Sequence, residues 1–162
     1  MTVTSVEKDL NALTLTVTAD FAAPPDKVWE LWADPRKLEK WWGPPTYPAT
    51  FMQHDLTPGA VVTYYMTSPE GEKSYGGWRV VSVDEPNQFT FEDYFADAEF
   101  RPAEGMPVAQ CVFAFEPAGD KTRATFTTTY PTVEALQRVL DMGMEEGATT
   151  ATNQIDKLLA TG

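Results

Sequence analysis

Between Tyr47 and Tyr130 the sequence is one alternating stretch after another, each ended by turn chemistry, and only one long amphipathic stretch follows. "YPATFMQHD" gives way to Pro58-Gly59, "AVVTYYMTS" to Pro69-Glu70-Gly71, and "KSYGGWRVVSVD" to Glu85-Pro86-Asn87. "QFTFEDYF" then leads into a loop rich in Ala, Glu, Pro and Gly at 96–106. "PVAQCVFAFE" and "TRATFTTTY" form a pair around Ala118-Gly119-Asp120, a hairpin signal. Apolar residues at every second position describe half-buried strands. A long antiparallel sheet has one apolar face to cover, and with a single long helix available it must curl around that helix.

The stretch before Tyr47 fits this plan. "LTLTVTADF" alternates Leu13, Leu15, Val17, Ala19 and Phe21 with polar residues, and Pro24-Pro25 end it. "DKVWELW" places Val28, Trp29, Leu31 and Trp32 on one stripe, and Asp34-Pro35 supplies an N-cap before a second short helix, "PRKLEKWW". Gly43-Pro44-Pro45 stops that helix, since proline cannot continue the ladder. The tryptophans 29, 32, 41 and 42 are expected to fill the junction of short helices, sheet and closing helix. Thr132 caps that closing helix, which carries Val133, Leu136, Val139, Leu140, Met144, Ile155, Leu158 and Leu159. The predicted fold is α+β, a helix-grip fold. A curled antiparallel sheet of about seven strands surrounds a long C-terminal helix, with two short helices after strand 1.

The 162 residues suit a single domain. The net charge of −12 argues against nucleic acid and anionic membranes as partners and for a small molecule or a protein. No apolar run is long enough for membrane insertion, and the start lacks signal-peptide features, so a cytoplasmic location is expected. One histidine and one cysteine do not make a zinc site of the usual kind, and no phosphate-binding glycine loop occurs. No metal or cofactor is therefore expected. Cys111, in "VAQCVFAF", is expected to be a buried small hydrophobe.

The closing helix has an unusual centre, "DMGMEEGATTAT". Gly143 and Gly147 each cost roughly 1 kcal/mol in a helix interior relative to alanine. Val133, Leu136, Leu140, Gly143, Met144, Gly147, Ala151 and Ile155 follow steps of three and four and share one face. Small residues on a core-facing stripe leave room that sheet side chains fill, that a kink closes, or that a ligand occupies. Facing them, Phe89, Phe91 and Phe95 share one parity, as do Cys111, Phe113 and Phe115, and Phe126 and Tyr130. Asp93 lies on the Phe91/Phe95 row: if that row faces inward, its carboxyl meets the cavity and its pKa rises; otherwise it sits at a strand end in water. The candidate ligand-binding residues are Trp41, Phe51, Tyr65, Trp78, Phe91, Asp93, Phe95, Phe113, Leu136, Leu140, Gly143, Met144 and Gly147. Met52, Met66, Met142 and Met144 would lend an adaptable wall. His54 and Asp55 point to opposite faces of a strand and form no dyad; Asp55 suits the turn that follows, and His54 a structural or surface role.

Several stretches carry a family resemblance: "FAAPPDKVWELWADPRKLEKWWGPP", "HDLTPGAVVTYYM", "GGWRVVSVDEPNQFTFEDYF" and "VLDMGMEEGATTATNQIDKLL". Together they resemble the START-like (SRPBCC) superfamily, in the branch related to the activator of heat-shock protein ATPase. The resemblance runs through nearly the whole chain in order and implies one START-like domain over residues 1–162. It also favours a cavity between sheet and closing helix, because such proteins usually hold one. Relatives include lipid carriers, polyketide cyclases, hormone receptors and co-chaperone domains, so the fold leaves function open. The leading expectation is binding of a small hydrophobic, aromatic or polycyclic molecule. The alternatives are a stress-related module regulating a chaperone ATPase, with the chaperone as partner, and a cyclase- or hydrolase-type enzyme using Asp93, His54 or Tyr65. The oligomeric state is left open, a homodimer being one option.

Overall fold

The computed structural model describes residues 3–42, 46–106, 108–141, 143, 146, 149–150 and 153–161. The chain forms β1 (Val3–Asp9), β2 (Thr14–Phe21), α1 (Pro25–Ala33), α2 (Pro35–Leu38), β3 (Ala49–Gln53) and β4 (Val61–Thr67). There follow β5 (Lys73–Asp84), β6 (Gln88–Ala96), β7 (Val108–Ala118), β8 (Lys121–Thr129), α3 (Val133–Asp141) and α4 (Ile155–Thr161). The eight strands make one antiparallel, unclosed sheet in the order β1-β2-β8-β7-β6-β5-β4-β3. This is the helix-grip α+β architecture, with one strand more than the pattern predicts.

The extra strand is β1. Its sequence, VTSVEKD, is mostly polar, and Val6 packs on the core. An edge strand needs little apolar content because its pairing with β2 supplies the ordering. The β1–β2 turn is organised by Asp9, whose Oδ1 accepts from the backbone N–H groups of Asn11 and Ala12. That is the usual turn chemistry of aspartate.

Strand β2 alternates as expected, with Leu15, Val17, Ala19 and Phe21 buried. Helix α1 begins with Pro25 in its first turn and buries Val28, Trp29, Leu31 and Trp32. The Asp34 carboxylate accepts from Arg36 N and caps α2. The tryptophans do fill the junction. Trp32 is fully buried and its ring meets those of Phe21, Trp41, Phe113, Phe115 and Phe126. Trp29 stands edge-on to Phe89 and Phe115, and the Trp41 indole N–H donates to the Leu31 carbonyl.

Helix α2 also shields the other edge of the sheet. Phe51 N donates to Glu39 Oε2 at 2.7 Å, and Arg36 Nη2 donates to Phe51 O at 3.0 Å. The pair thus takes the place of a neighbouring strand where β3 bulges between Phe51 and Gln53. Replacing Glu39 by alanine leaves a partly buried N–H without its acceptor, which costs about 1–3 kcal/mol. Chemical denaturation of Glu39→Ala should show that loss, and an unchanged midpoint would refute the role of this carboxylate.

The closing segment differs from one continuous helix. Thr132 Oγ1 caps α3 as expected, accepting from Ala135 N, but α3 ends at Asp141. Gly143 has φ +83°, in the left-handed region, and its N–H donates to the Leu140 carbonyl. The backbone turns at Gly143, while Gly147 and Ala151 lie outside the described residues. The polypeptide is helical again at Glu146, Thr149, Thr150 and Asn153. Val133, expected on the inner stripe, is 42% exposed.

Candidate functional site

Inner-face residues of the sheet lie in rows across neighbouring strands. One row joins Val62, Trp78, Asp93 and Ala109; the next joins Phe91, Cys111, Thr128 and Leu15. Asp93 therefore stands on the concave side, with the core aromatics, rather than at a strand end in water. Burial pushes its carboxyl from the ordinary 3.8 up to about 7, while the Tyr64 hydroxyl opposes the rise by favouring the carboxylate. Asp93 lies deep within the protein and still keeps surface within reach of a water-sized probe, whereas Trp78 and Phe91 beside it are essentially sealed.

The groups around Asp93 are aromatic and polar. Burial, and then the charge of Asp93, raise the Tyr64 phenol well above its usual range, and the same two causes act on Tyr130 and Cys111. The Trp42 indole faces the Tyr64 ring at 5.9 Å and the Trp78 ring at 4.9 Å. Its N–H favours the ionised Tyr64 without reaching hydrogen-bond geometry. Among the described residues, the buried indole N–H groups of Trp32, Trp42 and Trp78 have no hydrogen-bond partner. Unmet buried donors are rare in folded proteins because each costs free energy.

The predicted site residues separate into groups. Asp93, Phe95 and Leu140 are half-buried, and Phe113 retains a little exposed surface. Trp41, Phe51, Trp78, Phe91 and Leu136 are covered by other side chains and belong to the packed core. Gly143 lies outside that core and is exposed; Met144 and Gly147 lie outside the described residues. Tyr65 is a correction. It pairs with Tyr75, stacks under Lys73 and lies on the opposite sheet face, because neighbouring strand residues alternate. The inward tyrosine is Tyr64, whose ring lies against Gly76 so closely that a Cβ there would come within 2.7 Å of it. Reading β4 by the parity of Val62, Tyr64 and Met66 would have found it. Met52 is 61% exposed and forms no wall, Met66 does pack on the core, and Met142 lies outside the described residues.

His54 has a structural role. Its Nε2 lies 2.8 Å from the Trp32 carbonyl, an acceptor, so that nitrogen carries the proton; burial lowers the ring pKa. Asp55 accepts from the Thr57 hydroxyl within its turn. Cys111 is buried as expected. Among the described residues, no group of three or more His, Cys, Asp or Glu side chains is placed to hold a metal, and no helix is long and apolar enough to cross a membrane. A cleft of about 390 Å³ opens beside the closing segment, lined by Leu140, Gly143, Glu146, Thr149 and Thr150. A broader hollow of about 610 Å³ lies at the β1–β2 hairpin; its lining, apart from Leu10, is polar or charged.

A curled sheet with a half-buried acid on its aromatic concave face, closed by C-terminal helices, defines a protein of the START-like, helix-grip class. The chain belongs to the activator of Hsp90 ATPase homolog 1-like family, whose model matches residues 22–160. It is similar to protein Ms6760 from Mycobacterium smegmatis, with 55% identity over 97% of this chain and 96% of that one, at a TM-score of 0.91. A protein from Arthrobacter aurescens is 42% identical over 99% of this chain and 94% of its own, with a TM-score of 0.95. One from Staphylococcus epidermidis is 30% identical over 98% and 94%, with a TM-score of 0.85. Among curated proteins, none matches the sequence.

Proposed function

We propose that this protein binds a small hydrophobic molecule, aromatic or polycyclic, between the concave face of the sheet and the closing helices. It would do so as one cytoplasmic START-like unit spanning residues 1–162. The observation that carries the reading is a set of polar groups in aromatic surroundings. The half-buried Asp93 carboxyl is favoured as a carboxylate by the Tyr64 hydroxyl and is reachable by solvent. Trp78 is paired to it in register, and the indole N–H groups of Trp42 and Trp78 are without a partner among the described residues. Ligand sites are mostly apolar, with a few polar groups that fix orientation. The cleft lined by Leu140 and Gly143 would give access from the closing segment.

The test is a thermal-shift panel of sterols, fatty acids, flavonoids and polyketide- or enediyne-like aromatics. A ligand at a hundred times its dissociation constant stabilises the fold by about 2.7 kcal/mol. For a domain of this size the melting temperature should rise by roughly 5–10 °C. A shift confined to one chemical class supports the proposal. No shift across the panel overturns it and directs the search to protein partners.

A further inference from the structure

The geometry points to a cationic amine on an apolar aromatic frame as the ligand class, with the Asp93 carboxylate as its counter-ion. This rests on the proposed interior binding site and adds the chemistry of its occupant.

Three observations select a cation. First, Asp93 is a deep acid whose ion-pair position is vacant among the described residues. The ion pairs there involve Asp20, Glu30, Glu39, Glu92, Asp97 and Glu99, and no lysine, arginine or histidine faces Asp93. A buried carboxylate without a counter-charge is costly, and an ammonium beside it offsets that cost. Second, its surroundings are ring systems. Trp42, Tyr64 and Trp78 have mutual centroid distances of 4.9, 5.9 and 6.4 Å, and Trp78 is paired in register with Asp93. Of these rings Trp42 is only partly covered, while Trp78 is fully buried and backs the site; aromatic rings near a carboxylate recognise alkylammonium groups through ring quadrupole and charge together. Third, the chain's net charge of −12 concentrates cations near its surface and repels anions.

The neighbours do not supply a competing charge. Tyr64 from β4, Tyr130 after β8 and Cys111 from β7 all have their pKa values raised, so each stays neutral near pH 7. An anionic ligand, such as a fatty acid with its carboxylate inward, would face Asp93 with like charge. Its carboxylate would have to point outward, or one of the two acids would have to take up a proton.

The test uses three probes of one shape: naphthylmethylamine, naphthalenemethanol and naphthoate, titrated calorimetrically at pH 8 into the full chain and into D93N. The amine should bind the unaltered protein at least tenfold more tightly than the alcohol, with naphthoate weakest. D93N should abolish the amine's advantage, so that amine and alcohol bind the variant within about twofold of each other. Circular dichroism of D93N separates a lost anchor from a lost fold. Equal affinities for amine and alcohol, or an amine preference that survives D93N, would overturn the amine assignment and leave the interior site standing. If none of the three probes binds, the amine assignment is overturned, and the wider thermal-shift panel decides the interior site.

Discussion

Asp93→Asn should make the protein more stable at pH 8, by up to about 4 kcal/mol, and leave its stability near pH 4 almost unchanged. The carboxyl has a pKa of about 7 in the folded protein against an ordinary value of 3.8. Below 3.8 both states carry the proton and the group makes no difference. Between 3.8 and 7 the unfolded chain has released its proton and the folded chain still holds it, so folding becomes less favourable as pH rises. Above 7 both are ionised and the penalty is complete. A difference of about three pKa units at ~1.36 kcal/mol each sets the upper limit, and partial solvent access to Asp93 lowers the real figure. Urea denaturation of both proteins at pH 4 and pH 8 checks this. A stability difference that does not grow with pH would mean that Asp93 is solvated like a surface acid, and the candidate site would lose its central feature.

Trp32→Ala should cost about 3–5 kcal/mol, the usual range for deleting a large core aromatic. The expected fall in melting temperature is roughly 6–20 °C. Trp32 joins α1 to the sheet and to Trp41, touching five aromatic rings from β2, β7, β8 and the chain after α2. No single neighbour can move into the space, because four are held by their strands and Trp41 by its indole N–H bond to the Leu31 carbonyl. Trp32→Phe should cost much less, since it keeps most of the ring contact and removes an indole N–H that has no partner among the described residues. Scanning calorimetry of the two variants decides the matter: a loss below about 1 kcal/mol for the alanine variant would show that the junction collapses freely and that the aromatic cluster is not the anchor of the fold.

Much of the architecture was legible because it follows from local periodicity. The alternation in β2, the caps at Asp34 and Thr132, and the two-residue Gly119-Asp120 hairpin are properties of short stretches, and each formed where expected. Strand β1 was not legible, because an edge strand is defined by the neighbour that pairs with it and its own residues are mostly polar. The site was half legible. Parity placed Asp93 with Phe91 and Phe95, and their row does face inward. Parity alone does not choose between two adjacent tyrosines, and the chosen residue, Tyr65, lies on the outer face.

The sequence by itself determined which residues alternate, where helices begin and where turns fall, because those depend on torsional preference and spacing within a few residues. Only the tertiary structure decided which of two equal rows faces the groove, and it did so through contacts distant in sequence. Gly76 on β5 leaves room for the Tyr64 ring, and Trp42, arriving from after α2, covers it. The bend at Gly143 has the same origin. A glycine permits a left-handed turn at any position, but the docking of α3 on the core through Leu136 and Val139, and of Ile155 beyond it, makes the chain take that turn there. The raised pKa of Asp93 is likewise a property of the assembled interior, since an isolated strand would leave that carboxyl in water.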